Sequence, residues 1–401
     1  MLARLLHIQG ISCTIFEAET SIDYRQQGGT LDLRTSTGLA AVKEAGLWDE
    51  FQKHARYDGE SLLVTDKNLT TWLRRNPRKQ GQERKVGEAP EIDRSDLRRI
   101  LMESVPKESI RWGMKLARVQ ETTAGHELHF VSGEVEHGYD LIIGCDGAFS
   151  KTRTLLSSEK PFYTNLAGWA VQIPNAEVTA PDVYRFINRG SVFAYSDGKN
   201  LSIQQLSSGN IWVSTCATHP EKPVRTSELE STDLPTVKAA LEAEYHDWAP
   251  ELRKAFSGIQ DPVWIQLYML PVGFTWPHRK GITLLGDAAH LMSPFAGIGV
   301  NTAFYDALLL SRQIVAYDNA KSQIDLDEYI VKYENDMFEH AHKGQKLTER
   351  SMNDMMFTPG APRTTIESWI LGHAKEDLPA WSHPFVTAIV YVGFWVYKLF
   401  N

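Results

Sequence analysis

Gly286-Asp-Ala-Ala-His-Leu-Met-Ser-Pro294, running on through Phe295-Ala-Gly-Ile-Gly-Val-Asn301, is the stretch that decides the fold. Apolar Ile282-Thr-Leu-Leu precedes it at strand length, and residues 299–314 follow it as a long apolar helix. A strand therefore delivers Asp287 at its carboxyl end, where a carboxylate can accept hydrogen bonds from ligand hydroxyls. Pro294 stiffens the loop, and Gly297 and Gly299 bring bare backbone amides to the helix start. Such an N-terminus carries about half a positive charge and stabilises an anion lying against it. His290 reads as a structural histidine of the turn, with a role as base the alternative.

Two further stretches share this grammar. Asp140-Leu-Ile-Ile-Gly-Cys-Asp-Gly-Ala-Phe-Ser-Lys-Thr-Arg153 is a buried strand that ends in Asp146-Gly147, with a helix expected from near Ser150. Strand end, glycine turn and helix start make a crevice able to receive phosphate or ribose, or an ordinary turn. At the other end, residues 1–10 read as the last half of an amphipathic helix with a glycine stop, not as a signal peptide. Ile11, Cys13 and Ile15 then alternate as strand residues do and lead to Glu17. An acid at that place suits ribose hydroxyls, and a solvated strand-end acid is the plainer alternative. Gly28-Gly-Thr-Leu-Asp-Leu33 follows, two glycines letting backbone pass close to a flat ligand.

Between these landmarks, Ser36 is expected to cap a helix over 36–46, and Asp93-Arg-Ser-Asp-Leu-Arg98 to open a second capped helix. Residues 73–88, with Arg74, Arg75, Arg78, Lys79, Arg84 and Lys85, read as a solvated basic loop rather than an anion-binding lid. Residues 128–135 read as a hairpin around Ser132-Gly133. After about Leu156 the texture changes to four short strand-like stretches, 168–174, 191–196, 201–206 and 211–217, an antiparallel sheet. It carries Trp169, Phe186, Phe193, Tyr195 and Trp212, and alternation puts Phe193 and Tyr195 on one face. Residues 234–256 and 325–356 read as helical.

The chain has 401 residues, 42% hydrophobic and 23% charged, a globular composition. Its formal charge of −8 offers no basic field for phosphates, which excludes nucleic acid as an expected partner. Cys13, Cys145 and Cys216 fit neither a disulfide framework nor a zinc site, so a reducing, cytoplasmic setting is expected, with no metal. The tail from Pro384 to Phe400 is nearly all apolar. As a helix it would span about 25 Å, short of the roughly 30 Å hydrocarbon core. It reads as a docked helix, with weak membrane contact through Trp381, Trp395, Tyr397 and Lys398 as the alternative.

Glu17, the Gly28-Gly29-Thr-Leu-Asp32 segment, Arg94, Asp146-Gly147 and the stretch from Gly286-Asp287 to Pro294 occur in one order. In that order the chain resembles the single-component, FAD-dependent aromatic-hydroxylase family of monooxygenases. The Gly-Gly-Thr-Leu-Asp-Leu wording is most similar to its tetracycline-inactivating branch, and the likeness covers most of residues 1–350. The resemblance implies an α/β fold: a Rossmann-like FAD-binding domain lacking its first strand, an inserted antiparallel sheet for substrate, and a helical C-terminal region. The corresponding boundaries are 1–156 with 265–320, 157–264, and 321–401 with its apolar tail. Glu17 would hold the adenosine ribose, Arg94 the FAD linker, and Asp287 the ribityl or pyrophosphate part. Asp32 and Gly29 would lie near the flavin, Asp146 and Gly147 would serve FAD and NADPH, and Gly297, Gly299 and Val300 would line the flavin. The chemistry implied is NADPH reduction of the flavin, capture of O2 and transfer of one oxygen atom to an aromatic or polycyclic natural product of secondary metabolism, with no side chain as nucleophile.

Two departures stand beside the resemblance. The family opens with a strand and Gly-x-Gly-x-x-Gly, and Met1 falls just after the last of those glycines, so weak FAD retention is expected. The sheet also lacks the polar residues that would match tetracycline contacts. A non-redox descendant that binds or rearranges a pathway intermediate without flavin is therefore the rival expectation.

Overall fold

Short parallel strands organise the first half of the molecule, which is described over residues 1–22, 28–76, 89–222, 233–320 and 325–400 of a computed structural model. Ile15–Phe16 pairs with Ile110–Arg111, and Ile142–Gly144 pairs with Ile282–Leu284, both in parallel register. Among the described residues the two pairs share no ladder. The Met1 amine lies near Cys13 and Cys145, one from each side, and burial lowers its pKa to about 6. Leu2–His7 follows as a helix whose Leu5 packs with Phe304, Ala307 and Leu308 of the Gly299–Ala320 helix.

The expected antiparallel sheet is larger than its four predicted strands. It has seven, in the order Gln260–Met269, Phe162–Ile173, Ile211–Thr218, Lys199–Gln205, Ser191–Ser196, Leu62–Thr65 and Thr71–Arg75. Ser191–Ser196 meets Leu62–Thr65 in parallel, and the other neighbours are antiparallel. The strand Gln260–Met269 crosses the expected boundary at 264/265. Leu73, Arg74 and Arg75 belong to a strand rather than a loop, because Val64 and Leu63 offer them a ladder. Arg78, Lys79, Arg84 and Lys85 lie outside the described residues.

Strand alternation divides the sheet into two apolar faces. Val192, Ala194, Ile203 and Val213 pack with Val183, Val237, Tyr245 and Trp248 from the covering helices. Tyr195, Leu166, Cys216 and Met269, with Phe193 beside them, pack on the opposite side against Met352, Met355, Met356 and Ile366. Trp169 lies on the first face and stands edge-on to Trp264, while Phe186, expected in the sheet, belongs to the Pro181–Ile187 helix that covers that face.

The Leu326–Met352 helix buries Ile330, Tyr333, Met337 and Ala341, a stripe at helical spacing. A π turn, Asn353–Phe357, follows it and carries Met355 and Met356 against the sheet. His383–Lys398 lies beside Ile366–Asp377, held by Tyr397 Oη donating to Thr71 O at 2.6 Å and by Lys398 on Glu367 at 2.7 Å. Phe385, Ile389, Val392 and Trp395 of this helix remain exposed. Among the described residues no helix is long and apolar enough to cross a membrane.

Two expected caps are not made. The helix Gly38–Glu44 begins after Thr37, and neither the Thr37 nor the Ser36 side chain accepts a helix N–H. Asp93 precedes Arg94–Glu103 without capping it, since its carboxylate accepts the Ser207 N–H and Oγ–H instead, the latter at 2.6 Å.

Candidate functional site

Asp287 begins a four-residue helix directly after Gly286, whose φ of 63° and ψ of −141° are open to glycine. That turn is pinned from behind. Asp306, fully buried on the long helix, accepts the Gly286 N–H at 3.0 Å and His290 Nε2 at 2.6 Å. Burial opposes charge on His290, but Asp306 outweighs it and the pKa stands above the ordinary histidine value. His290 is 2% exposed and is a structural partner of the turn. Asp287 itself is exposed. Displaced water raises its carboxyl pKa, partly offset by His290 and Arg94.

The Pro294–Ala296 turn ends at Gly297, φ 64°, and Gly299 opens the long helix. A Cβ built on Gly299 would meet open space, and one on Gly297 would lie 3.8 Å from Asp32 Oδ1. Val300 packs behind them against the helix core. Asn301, 3% exposed, is the hub that joins this turn to the strand Thr30–Asp32. Its Nδ2 donates to Asp32 O at 2.8 Å, while its Oδ1 accepts the Arg34 N–H at 2.7 Å and Thr37 Oγ–H at 3.3 Å.

The two glycines before that strand are approached by the sheet. A Cβ on Gly28 would fall 2.1 Å from the Trp212 ring, so only glycine fits beneath the indole. Gly29, φ 88°, accepts the Arg94 N–H at 3.3 Å. Arg94 is exposed, and its guanidinium has no hydrogen-bond or ion-pair partner among the described residues. It lines a cavity of about 310 Å³ together with Met1, Ile15, Leu31, Arg98 and Phe304. Arg98 is engaged by Glu19 at 2.5 Å and by Ile22 O. Glu17 follows Ile15–Phe16 at the same end, its Oε1 accepting the Glu19 N–H at 3.0 Å.

Pairwise contacts link several of the expected residues: Arg94 to Gly29, Asp32 to Gly297 and to Asn301 beside Val300, and the Arg94 charge acts on Asp287. Asp146 and Gly147 do not join them directly. Asp146 accepts Ser150 Oγ–H, Thr152 Oγ–H and the Lys151 and Thr152 N–H groups of its own loop, and so shapes that turn. Arg153, expected in the first helical turn there, donates to Ala288 O at 2.9 Å and ties the loop to the Asp287 turn.

The donor and acceptor chemistry present would suit an anionic dinucleotide: an exposed Arg94 cation, carboxylates at Glu17 and Asp287, and glycine backbone free of side chains at 29, 297 and 299. Asn301, the fit of Trp212 over Gly28 and the Asp306 partner of His290 were not read from sequence. Only the adjacency of Asn301 to Gly299 hinted at one of them.

Known proteins share this fold. The FAD binding domain family matches residues 1–335. Monooxygenase penA of Penicillium thymicola is 29% identical over 374 residues, covering 80% of this chain and 83% of that protein. Klebsiella pneumoniae HpxO, solved with FAD and uric acid, superposes with a TM-score of 0.72 at 18% identity, covering 97% of this chain and 92% of that one. The tetracycline destructase Tet(55) superposes with a TM-score of 0.66 at 19% identity, covering 94% and 93%. The chain belongs to the FAD binding domain family and is an FAD-dependent monooxygenase.

Proposed function

We propose that this monooxygenase consumes NADPH and inserts one oxygen atom from O2 into a neutral aromatic or polycyclic natural product, in secondary metabolism. The observation that carries the proposal is the composition of the sheet face next to the Pro294–Ala296 turn. Phe193, Tyr195, Leu267, Phe295, Met355 and Trp369 share one uncharged cluster there. The Trp369 indole N–H is buried without a partner among the described residues, a single donor for a ligand oxygen. A carboxylate buried among these side chains would lose its water, and the cation beside the turn, Arg34, already lies against Ala296 O and Asp32. Arg185 and Arg189, the nearest cations in sequence, are exposed and paired with Asp182 and Asp58, each at 2.7 Å.

FAD, when bound, supplies electron transfer and oxygen activation; the side chains bind, orient and exclude water. In this proposal Arg94 faces the FAD linker, Asp287 accepts from its hydroxyls and Glu17 accepts from the adenosine ribose. The backbone at Gly29, Gly297, Gly299 and Val300 lines the flavin with Asp32 beside it, and Asp146-Gly147 serves FAD and NADPH from the neighbouring turn. Three free cysteines fit a reducing cytoplasm. The exposed row Phe385, Ile389, Val392 and Trp395 supports weak contact of the C-terminal helix with a lipid surface.

The test is NADPH consumption by FAD-loaded protein against neutral polycyclic phenols, simple hydroxybenzoates and tetracycline. Neutral polycyclic phenols are expected to stimulate most. Stimulation by hydroxybenzoates alone would overturn the neutral-substrate assignment, and protein that takes up no FAD would favour a non-redox binding role.

A further inference from the structure

The sheet carries a polar row that neither of its apolar clusters absorbs. Ile203 and Val213 are fully buried against the covering helices, so alternation turns Ser202, Gln204, Ser214 and Trp212 to the opposite face. Register fixes which of these stand side by side. Phe193 is opposite Ser202, Ser202 opposite Ser214, Ser214 opposite Ala170, and Ala170 opposite Val263. One row across five strands thus sets three small side chains between two large ones.

The rows on either side are occupied. Two residues along, about 7 Å away, Trp212 covers Gly28 and Gln204 Nε2 donates to Thr30 Oγ1 at 3.2 Å. The strand that ends in Asp32 docks there. Two residues in the other direction Tyr195, Asn200 and Cys216 are buried, Tyr195 and Cys216 in one cluster with Met355 and Met356. Between these contacts Ser202 and Ser214 remain partly exposed. A floor of small side chains flanked by Phe193 and Trp212 gives a flat ring a seat.

The two hydroxyls differ in what they can still do. Ser202 Oγ donates to Asn200 Oδ1 at 2.9 Å, so its proton is committed and it can only accept from a ligand. Asn200 is held in turn, its Nδ2 donating to Ala194 O at 3.1 Å. Ser214 Oγ has no hydrogen-bond partner among the described residues, so its proton is free to donate. Directly opposed residues have Cβ atoms about 5 Å apart, so the pair can hold one ligand oxygen between them. That oxygen must accept from Ser214 and donate to Ser202. A hydroxyl meets both demands, whereas a ketone, an ether or a carboxylate has no proton to give.

We propose that Ser202 and Ser214 form a subsite that reads a phenolic hydroxyl of the substrate, with Phe193 and Trp212 flanking its ring. No bond is made or broken there; the two hydroxyls determine specificity by fixing where the ring lies on the sheet. The inference rests on the proposed function in taking this face of the sheet for the substrate.

Equilibrium binding to FAD-loaded protein, followed by perturbation of the flavin absorption spectrum, tests it. The ligands are the neutral polycyclic phenol that most stimulates NADPH consumption and its methyl ether. Wild type should bind the phenol about two- to tenfold more tightly than the ether, the worth of one hydrogen bond. Ser202→Ala should weaken the phenol by that factor and leave the ether unchanged, whereas Ser214→Ala should weaken both. A general disturbance of the sheet would not spare the ether in Ser202→Ala. Phenol binding unchanged in both variants, or both ligands weakened alike by Ser202→Ala, overturns the proposal. Should Ser202→Ala not fold, Ser214→Ala decides, and unchanged phenol binding in it overturns the proposal. Wild-type protein that binds no phenol would overturn the proposed function and this subsite with it; wild-type binding that both variants keep overturns the subsite alone.

Discussion

Replacing His290 and replacing Asp287 should damage this protein in different ways, although they stand only three positions apart. His290→Ala removes the partner 2.6 Å from Asp306 and leaves that fully buried carboxylate with only the Gly286 N–H at 3.0 Å. Breaking a buried ion pair from one side costs about 3–5 kcal/mol. Asp287→Ala removes a surface-accessible carboxylate with no protein hydrogen bond to lose. Its cost should fall on FAD, at about 1.5–3 kcal/mol, or roughly ten- to hundredfold in affinity. Urea unfolding of the FAD-free variants measures the first quantity, and quenching of flavin fluorescence on titration measures the second. Unaltered unfolding in His290→Ala, with FAD binding weakened as much as in Asp287→Ala, would refute this division of roles.

Other consequences follow from the same contacts. Because Asp306 holds the His290 pKa above its ordinary value, the stability that His290 adds is full below about pH 6.5 and fades as pH rises through the folded value. The gap in unfolding midpoint between wild type and His290→Ala should narrow accordingly. Gly28→Ala should destabilise by about 1–3 kcal/mol through overlap with the Trp212 ring, and a smaller residue at 212 should restore much of it in a double-variant cycle. Asn301→Leu strands the Arg34 N–H and should cost about 1–3 kcal/mol in urea unfolding. Deleting the exposed residues Phe385, Ile389, Val392 and Trp395 by serine substitution should reduce co-sedimentation with lipid vesicles; unchanged sedimentation counts against lipid contact.

What could be read from the chain follows the range of the interactions. Asp287, Gly297 and Gly299 sit in a strand–turn–helix whose pattern is local, and the structure places that turn where the pattern points. Phe193 and Tyr195 were assignable to one face because alternation is also local. Asn301, by contrast, acts on Arg34 across 267 residues, and nothing beside it in sequence names that partner. The fit of Trp212 over Gly28 depends on how the sheet and the strand Thr30–Asp32 dock. The cap expected at Asp93 failed for the same reason. A long-range partner, Ser207, offers Asp93 better hydrogen bonds than its own helix does. The strands Leu62–Thr65 and Gln260–Met269 were hidden because each completes a sheet begun elsewhere in the chain.

The central claim is that oxygen from O2 ends in an organic product through this chain's flavin site. FAD-loaded protein should be supplied with NADPH, heavy-isotope O2 and the neutral polycyclic phenol that most stimulates NADPH consumption, and the product weighed by mass spectrometry. The account predicts a product carrying one heavy oxygen atom from O2, diminished in Asp287→Ala in step with lost FAD. A product without heavy oxygen, or substrate recovered unchanged while NADPH is consumed, would contradict it.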